Sequence, residues 1–323
     1  MTSANPFPAP SSGGRARVPK WGDRTFFAVT AAGAVGVVGL LIAFVVVLYW
    51  GAQPAIEMLG PSFLYTKTWN PSGEVYGILP FVAGTLITSF LALLIAIPLS
   101  LGAALFLTQH APAWIRGPVG QVIELLAAIP SVIYGFWGLI VLVPIMRYTI
   151  EPNLWYYFGW TGLFSPLFLG LDVLSASVVL SIMTIPTITA ISRDSIAAVP
   201  RSQKEAAISL GATDWEVSRH AVLPYARNGI VAGVTLGLGR ALGETMAVAL
   251  LIGGRNAIPA NLFSQGQTIT SLIATDFFEA ANPTEVPALI EMGLFLLILT
   301  LVINLGARVV LSRFQAGRGV GVE

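Results

Sequence analysis

The sequence predicts an all-α integral membrane protein with six transmembrane helices. Hydrophobic residues make up 55% of the 323 positions and charged residues only 10%. The mean hydropathy is +0.78, far from the balance of an ordinary soluble domain. The apolar residues gather in runs of 20 or more, long enough for helices that satisfy their backbone hydrogen bonds internally across about 30 Å of hydrocarbon.

Residues 1–25 are rich in Pro, Ser, Gly and Ala and carry Arg15, Arg17, Lys20 and Arg24, the pattern of a flexible cytoplasmic tail. The apolar run from Phe26 to Trp50 is too long for the apolar stretch of a signal peptide, about 7 to 15 residues. It is read as an uncleaved first span, and residues 26–75 as that helix with an external loop. Five further spans are expected near 77–107, 118–146, 172–197, 228–253 and 287–311, within a core of 76–313 that ends in a cytoplasmic tail, 314–323. Pro98, Pro130, Pro144 and Pro186 lie inside these runs and are expected to kink them.

With six spans both termini share a side, and the distribution of cations chooses it. A cytoplasmic amino terminus places Arg116, Arg193, Arg201, Lys204, Arg219, Arg227, Arg308, Arg313 and Arg318 inside with the tail cations. Lys67, Arg147 and Arg255 remain outside, with Glu57, Glu74, Glu151, Asp276, Glu279 and Glu285. The external loop near 148–170 contains "LWYYFGW", whose rings suit headgroup level. The loop near 254–286 contains "TITSLIATDFFEA", too short to span and expected as a re-entrant or surface helix.

The cytoplasmic segment 199–227 has the grammar of helix, turn, helix. Pro200 suits a first helical turn, Ser202 and Glu205 have capping-box spacing, and Gly211 can end a helix in the left-handed conformation. Thr213 and Glu216 have the same box spacing for a second helix, which Pro224 is expected to stop.

Glu205-Ala206-Ala207, three residues, Gly211, nine residues, then Ala221-Val222-Leu223-Pro224 resembles the EAA loop of type I ABC importer permeases. Only Ala221 departs, where that family has isoleucine. The resemblance implies the type I ABC importer permease fold and a coupling helix that docks into a groove on an ATP-binding subunit. It places ATP on partner chains, with no cofactor or catalytic residue on this one. Consistently, Lys20, Lys67 and Lys204 follow Pro, Thr and Gln, so no phosphate-binding P-loop is present.

"GRALGETMAV" and "ELLAAIPSVIYGFWGL" narrow the resemblance to the PstC-type permease family of phosphate ABC importers, over residues 76–313. It implies a homologous PstA-type permease subunit, two ATP-binding subunits on the cytoplasmic side and an external phosphate-binding protein as partners.

Arg240 and Glu244 are unusual inside an apolar run. At 1.5 Å per residue from Asn228, Arg240 lies about 18 Å into the bilayer, where a charge costs at least about 2.5 kcal/mol and must face protein or water. Four residues apart on a continuous helix, the two would share a face. Two roles stand open: an anion pathway, in which the arginine fork meets phosphate oxygens while Glu244 holds it, or an ion pair that locks this subunit to its partner. Gly233, Gly237, Gly239 and Gly243 are expected to allow close helix approach, and Glu124 is a further candidate for a gate or structural charge.

Other classes are narrowed by composition. A net charge of +1 offers no basic tract for nucleic acid, the absence of cysteine excludes thiolate metal sites, and His110 and His220 are too far apart in sequence to suggest a metal cluster. Importers of sulfate or molybdate, an ATP-independent carrier or channel, and a signalling scaffold stay open at this level.

Overall fold

The computed structural model describes residues 20–316, so residues 1–19 and 317–323 of the expected tails lie outside it, with Arg15, Arg17 and Arg318. The chain divides into two units between Val47 and Leu48. The first unit is helical from residue 20, with apolar side chains such as Phe26, Val35, Leu40 and Phe44 exposed along its length. This is the surface a lipid-facing helix presents, since hydrocarbon is as apolar as the side chains. That helix, α1 (Lys20–Leu59), continues into the second unit, where Ala55 is buried with Phe63, Tyr76 and Phe81. A short helix, α2 (Ser62–Tyr65), and a two-stranded hairpin, β1 (Trp69–Asn70) with β2 (Val75–Tyr76), contribute to the same cluster.

The second unit is organised around α8 (Val173–Ala197), which packs most extensively against α3 (Leu79–Leu105) and α11 (Leu223–Gly243). Small and hydroxylated residues line its buried side, among them Ala176, Ser177, Ser181, Thr184 and Ser192. Without a hydrophobic force between helices in lipid, such residues gain by letting backbones approach closely. Their hydroxyls are partly spent on their own helix: Ser177 donates to the Val173 carbonyl at 2.6 Å and Thr184 to that of Leu180 at 3.0 Å.

Among the described residues, five helices are long and apolar enough to cross a membrane: Trp21–Leu59, Leu79–His110, Ser131–Thr161, Val173–Ala197 and Glu285–Ala307. The last belongs to α14 (Glu285–Ala316). The span expected at 228–253 is discontinuous, built from α11 and a short α12 (Met246–Leu251).

The span expected at 118–146 is corrected. Pro130 breaks the chain rather than kinking it, because Ile129 before it is extended (φ −66°, ψ 131°), the conformation a following proline ring favours. The break separates α4 (Ala113–Ala128) from α5 (Ser131–Trp137), and helix then continues through α6 (Val143–Ile145) and α7 (Glu151–Phe158) to Thr161. The loop expected from residue 148 is therefore helical in its first part. Tyr156, Tyr157 and Trp160 of the aromatic motif stand exposed near that helix end.

Prolines explain this continuity. Each of the π turns at Phe106–His110, Gly138–Leu142, Met146–Ile150 and Val217–Val222 closes with an N–H one residue before a proline, namely Pro112, Pro144, Pro152 or Pro224. An i to i−5 bond at that point shifts the carbonyl that the proline ring would otherwise strike, so the helix continues past Pro144, Pro152 and Pro224, whereas Ala111 before Pro112 is extended and the helix ends there. Pro224 consequently does not stop the second cytoplasmic helix: α10 (Asp214–Glu216) passes through a π turn directly into α11.

Two local expectations divide. Thr213 and Glu216 form the reciprocal capping box. Ser202 and Glu205 do not, because α9 (Arg201–Ser209) has its N-cap two residues earlier, at Pro200, which offers no capping side chain. The 254–286 segment contains α13 (Ile269–Asp276), whose Ile269, Ser271 and Leu272 are fully buried, so it is packed inward between α3, α12 and α14 rather than laid on the surface.

Of the α11 glycines, Gly233 and Gly237 lie against α8, whereas a side chain at Gly243 would meet nothing within 4 Å. A Cβ at Gly237 would come within 2.7 Å of Ile188, so Gly237→Val is expected to destabilise the protein by about 1–3 kcal/mol through overpacking. Gly102→Ala on α3, where nothing lies within 4 Å, should be neutral or slightly stabilising; thermal melts of the purified protein distinguish the two.

Candidate functional site

The discontinuity in the fifth span falls on the charged motif. α11 ends at Gly243, Glu244 is extended (φ −69°, ψ 130°), and α12 begins at Met246. Arg240 and Glu244 are therefore not one turn apart on a continuous helix, and the shared face expected from their spacing is absent. Among the described residues the salt bridges involve Arg193 alone.

Each member has another partner instead. Arg240 donates from Nη1 to the Thr187 hydroxyl of α8 at 3.2 Å. Its guanidinium is part-buried, and its other donors have no protein acceptor among the described residues. Glu244 accepts the Ala247 N–H on Oε1 at 3.3 Å, satisfying one donor at the start of α12. Its own carbonyl accepts the Thr270 hydroxyl of α13 at 2.7 Å. A neighbouring bond from the Ile269 N–H to the Thr85 hydroxyl, 3.1 Å, ties α13 to α3.

The second motif singled out in the sequence, "ELLAAIPSVIYGFWGL", meets this break. α5 packs on α12, with Gly135 so close that a Cβ there would lie 2.8 Å from Ala247 Cα. The Tyr134 hydroxyl donates back to the Leu126 carbonyl at 2.8 Å, covering an acceptor released by the break at Pro130. Glu124 lies elsewhere: on α4, it forms a 2.9 Å ion pair with Arg193 of α8.

The coupling-loop candidates form a separate face. Glu205 and Ala206 are exposed on α9, Ala207 packs partly against Val217 and Val222, and Gly211 turns the chain at φ +84°. Thr213 holds the Glu216 carboxyl below its ordinary range by donating backbone and hydroxyl hydrogen bonds at 2.8 and 2.9 Å. Leu223 and Pro224 begin α11. Between the two helices lies a groove of about 480 Å³ lined by Ala206, Ala207, Leu210, His220, Pro224 and Tyr225. Leu210, 89% exposed, is a large apolar side chain standing open at the edge of this groove.

The sequence reading missed Thr187, whose polar side chain is ordinary in a helix and announces no partner. It also missed Glu151 and Asp172, both fully buried; both carboxylate oxygens of Glu151 and Oδ2 of Asp172 lack a hydrogen-bond partner. Asp172 had a readable signal, since it precedes an apolar run and caps α8 by accepting the Ser175 N–H at 2.7 Å. Burial pushes its carboxyl above the ordinary range.

Comparison with known proteins adds the family context. Residues 96–316 match the family model described as "Binding-protein-dependent transport system inner membrane component". The chain is 47% identical over 290 residues to the "Phosphate transport system permease protein PstC" of Pasteurella multocida, covering 88% of this chain and 90% of that protein. It is 43% identical over 301 residues to the protein of the same name from Mesorhizobium japonicum, covering 92% of each. Among solved structures, a bacterial ABC transporter involved in import of the acidic polysaccharide alginate aligns at TM-score 0.58 and 19% identity, over 91% of this chain and 98% of that one, a likeness of fold.

The geometry around Arg240 sets a measurable coupling. A double-mutant cycle with Arg240→Gln and Thr187→Val is expected to give about 1–2 kcal/mol of interaction in thermal or denaturant stability. The corresponding cycle with Arg240→Gln and Glu244→Gln is expected to stay within about 0.5 kcal/mol.

Proposed function

Because the chain belongs to the binding-protein-dependent transport system inner membrane component family, we infer that it is the multi-pass inner-membrane permease subunit of an ATP-driven importer, and that the importer carries inorganic phosphate into the cytoplasm. The observation that carries this reading is likeness to phosphate permeases along nearly the whole of both chains. The chain is a transport subunit rather than an enzyme. Importers of this family work with ATPase and substrate-binding subunits; the finer assignment is a PstA-type permease partner, two ATP-binding subunits and an external phosphate-binding protein. ATP is assigned to those partner chains and no cofactor to this one. Both termini are assigned to the cytoplasm, on the excess of arginine and lysine in the segments between spans that would face it.

Arg240 is assigned to the anion pathway. Its single hydrogen bond to Thr187 leaves guanidinium donors for phosphate oxygens, and no carboxylate neutralises it among the described residues. The break beside it supports the same reading, since irregular backbone at membrane depth is tolerated where protein encloses it or water lines a cavity. Glu244 acts through the backbone: its carboxylate starts α12 and its carbonyl holds α13, so it positions the break rather than the arginine. The coupling segment, Glu205-Ala206-Ala207 through Gly211 to Leu223-Pro224, is assigned to the ATPase contact. Its route to the break is short in connectivity, because α10 runs through one π turn into α11 with no loop between them.

Phosphate uptake by reconstituted importers is expected to fall about tenfold or more with Arg240→Gln, and at least severalfold with Glu244→Gln, in proteins that still assemble. Normal uptake by both would remove the pathway assignment. Leu210→Asp is expected to weaken co-purification of the ATPase subunits at least about fivefold, the loss of a small interface anchor, without lowering the melting temperature of the isolated chain.

A further inference from the structure

We propose that the cavity bounded by Arg116, Arg193, Arg201 and Lys204 binds an anion of the phosphate class, supplied either as the headgroup of an acidic phospholipid or as free inorganic phosphate. It measures about 500 Å³ and is completed by Leu107, Thr108, Ala197 and Val199. Its four cations come from three elements, α4, α8 and α9, and its lining contains no carboxylate.

Only one of those cations is neutralised. Arg193 holds Glu124 at 2.9 Å and Asp194 at 3.1 Å. Arg116 donates to the Ala111 carbonyl at 3.2 Å and Lys204 to the Gln109 amide oxygen at 3.4 Å, neutral acceptors both. Arg201 has no acidic partner within salt-bridge distance among the described residues. The Lys204 ammonium is held below its usual range by burial and by repulsion from Arg201 and Arg116, so the cavity carries uncompensated positive potential. A preformed cluster of guanidinium and ammonium donors recognises phosphate oxygens by charge-assisted hydrogen bonds.

The site is also built rather than incidental. The Arg193 guanidinium lies over Gly120, where any side chain would come within 2.7 Å of Nη1. Beside Arg116, the same helix presents Trp114, 77% exposed, with Val119, Val122 and Leu125, the aromatic and apolar surface of a segment at a membrane interface. Basic pockets between helices at that depth suit anionic headgroups. This site goes beyond the transport assignment and stands whichever oxyanion the importer moves.

The assembled importer supplies its own reporter, because Lys20, Lys67 and Lys204 are the only lysines of the chain. Acylation of Lys204 by an amine-reactive ester, normalised to Lys67 and read by peptide mass spectrometry, is compared across nanodiscs of phosphatidylcholine alone, phosphatidylcholine with phosphatidylglycerol, and phosphatidylcholine with inorganic phosphate replacing chloride at equal ionic strength. Slowing of at least about fivefold is expected where the anion binds, with the phosphatidylglycerol arm identifying a headgroup and the inorganic phosphate arm a free anion. Arg116→Gln with Arg201→Gln is expected to abolish that slowing. Equal rates in all three conditions for the unaltered importer overturn the site, as does full protection retained by the double variant, which marks a general surface-potential effect. Where the double variant does not assemble, the single Arg116→Gln variant takes its place, with a loss of the slowing expected and full protection overturning the site.

Discussion

A helix in hydrocarbon must satisfy every backbone N–H and C=O from protein, and this constraint governs the chain most visibly where its helices stop being regular. At Pro130 the Tyr134 hydroxyl returns to the Leu126 carbonyl. At Glu244 the carboxylate takes the Ala247 N–H and the Thr270 hydroxyl takes the Glu244 carbonyl. The Ile269 N–H at the start of α13 is taken by the Thr85 hydroxyl of α3. Residues that look like isolated polar intrusions in apolar runs are thus the covers of particular orphaned groups. The two breaks also meet, because α5 follows one and α12 the other, and Gly135 lets them lie in contact.

Around those breaks, α8 supplies the common surface. It carries Thr187 toward Arg240, small residues toward α3 and α11, and Arg193 toward Glu124. One helix therefore touches the arginine beside the break, the packing core and the basic cavity. Rigid-body movement of α11 relative to α8 would change Arg240 and the Ile188 to Gly237 contact together. The segment assigned to the ATPase contact has a covalent path to the same region, through the capped α10 and the π turn before Pro224.

Much of this was legible in the sequence for reasons of length and composition. Apolar runs located α1, α3, α8 and α14, and the Thr213 to Glu216 box declared itself by residue type and spacing. The discontinuity at Glu244 was signalled only weakly, by Gly243 and Thr245 among the good helix formers Ala, Leu and Met, and the contacts from α13 and α5 show where the backbone turns. Spacing of four residues suggested a pair that the break then separated. The Ser202 box failed because two capping patterns overlapped, and the start on Pro200 displaced it. Pro130 and Pro144 look alike in one dimension, yet only the latter follows a π turn that makes room for its ring.

Those π turns carry a consequence for how such a chain tolerates change in length. In a plain α-helix, adding or removing one residue rotates everything beyond it by about 100° and turns a lipid-facing side chain toward the core. A helix that already holds one surplus residue in a widened turn has somewhere to put the difference. Deleting a residue near Pro144, Pro152 or Pro224 can convert the wide turn to an ordinary one and leave both flanking faces in register, although the proline then loses its room. The proline and the extra residue therefore act as a single structural unit, the wide turn making room for the ring.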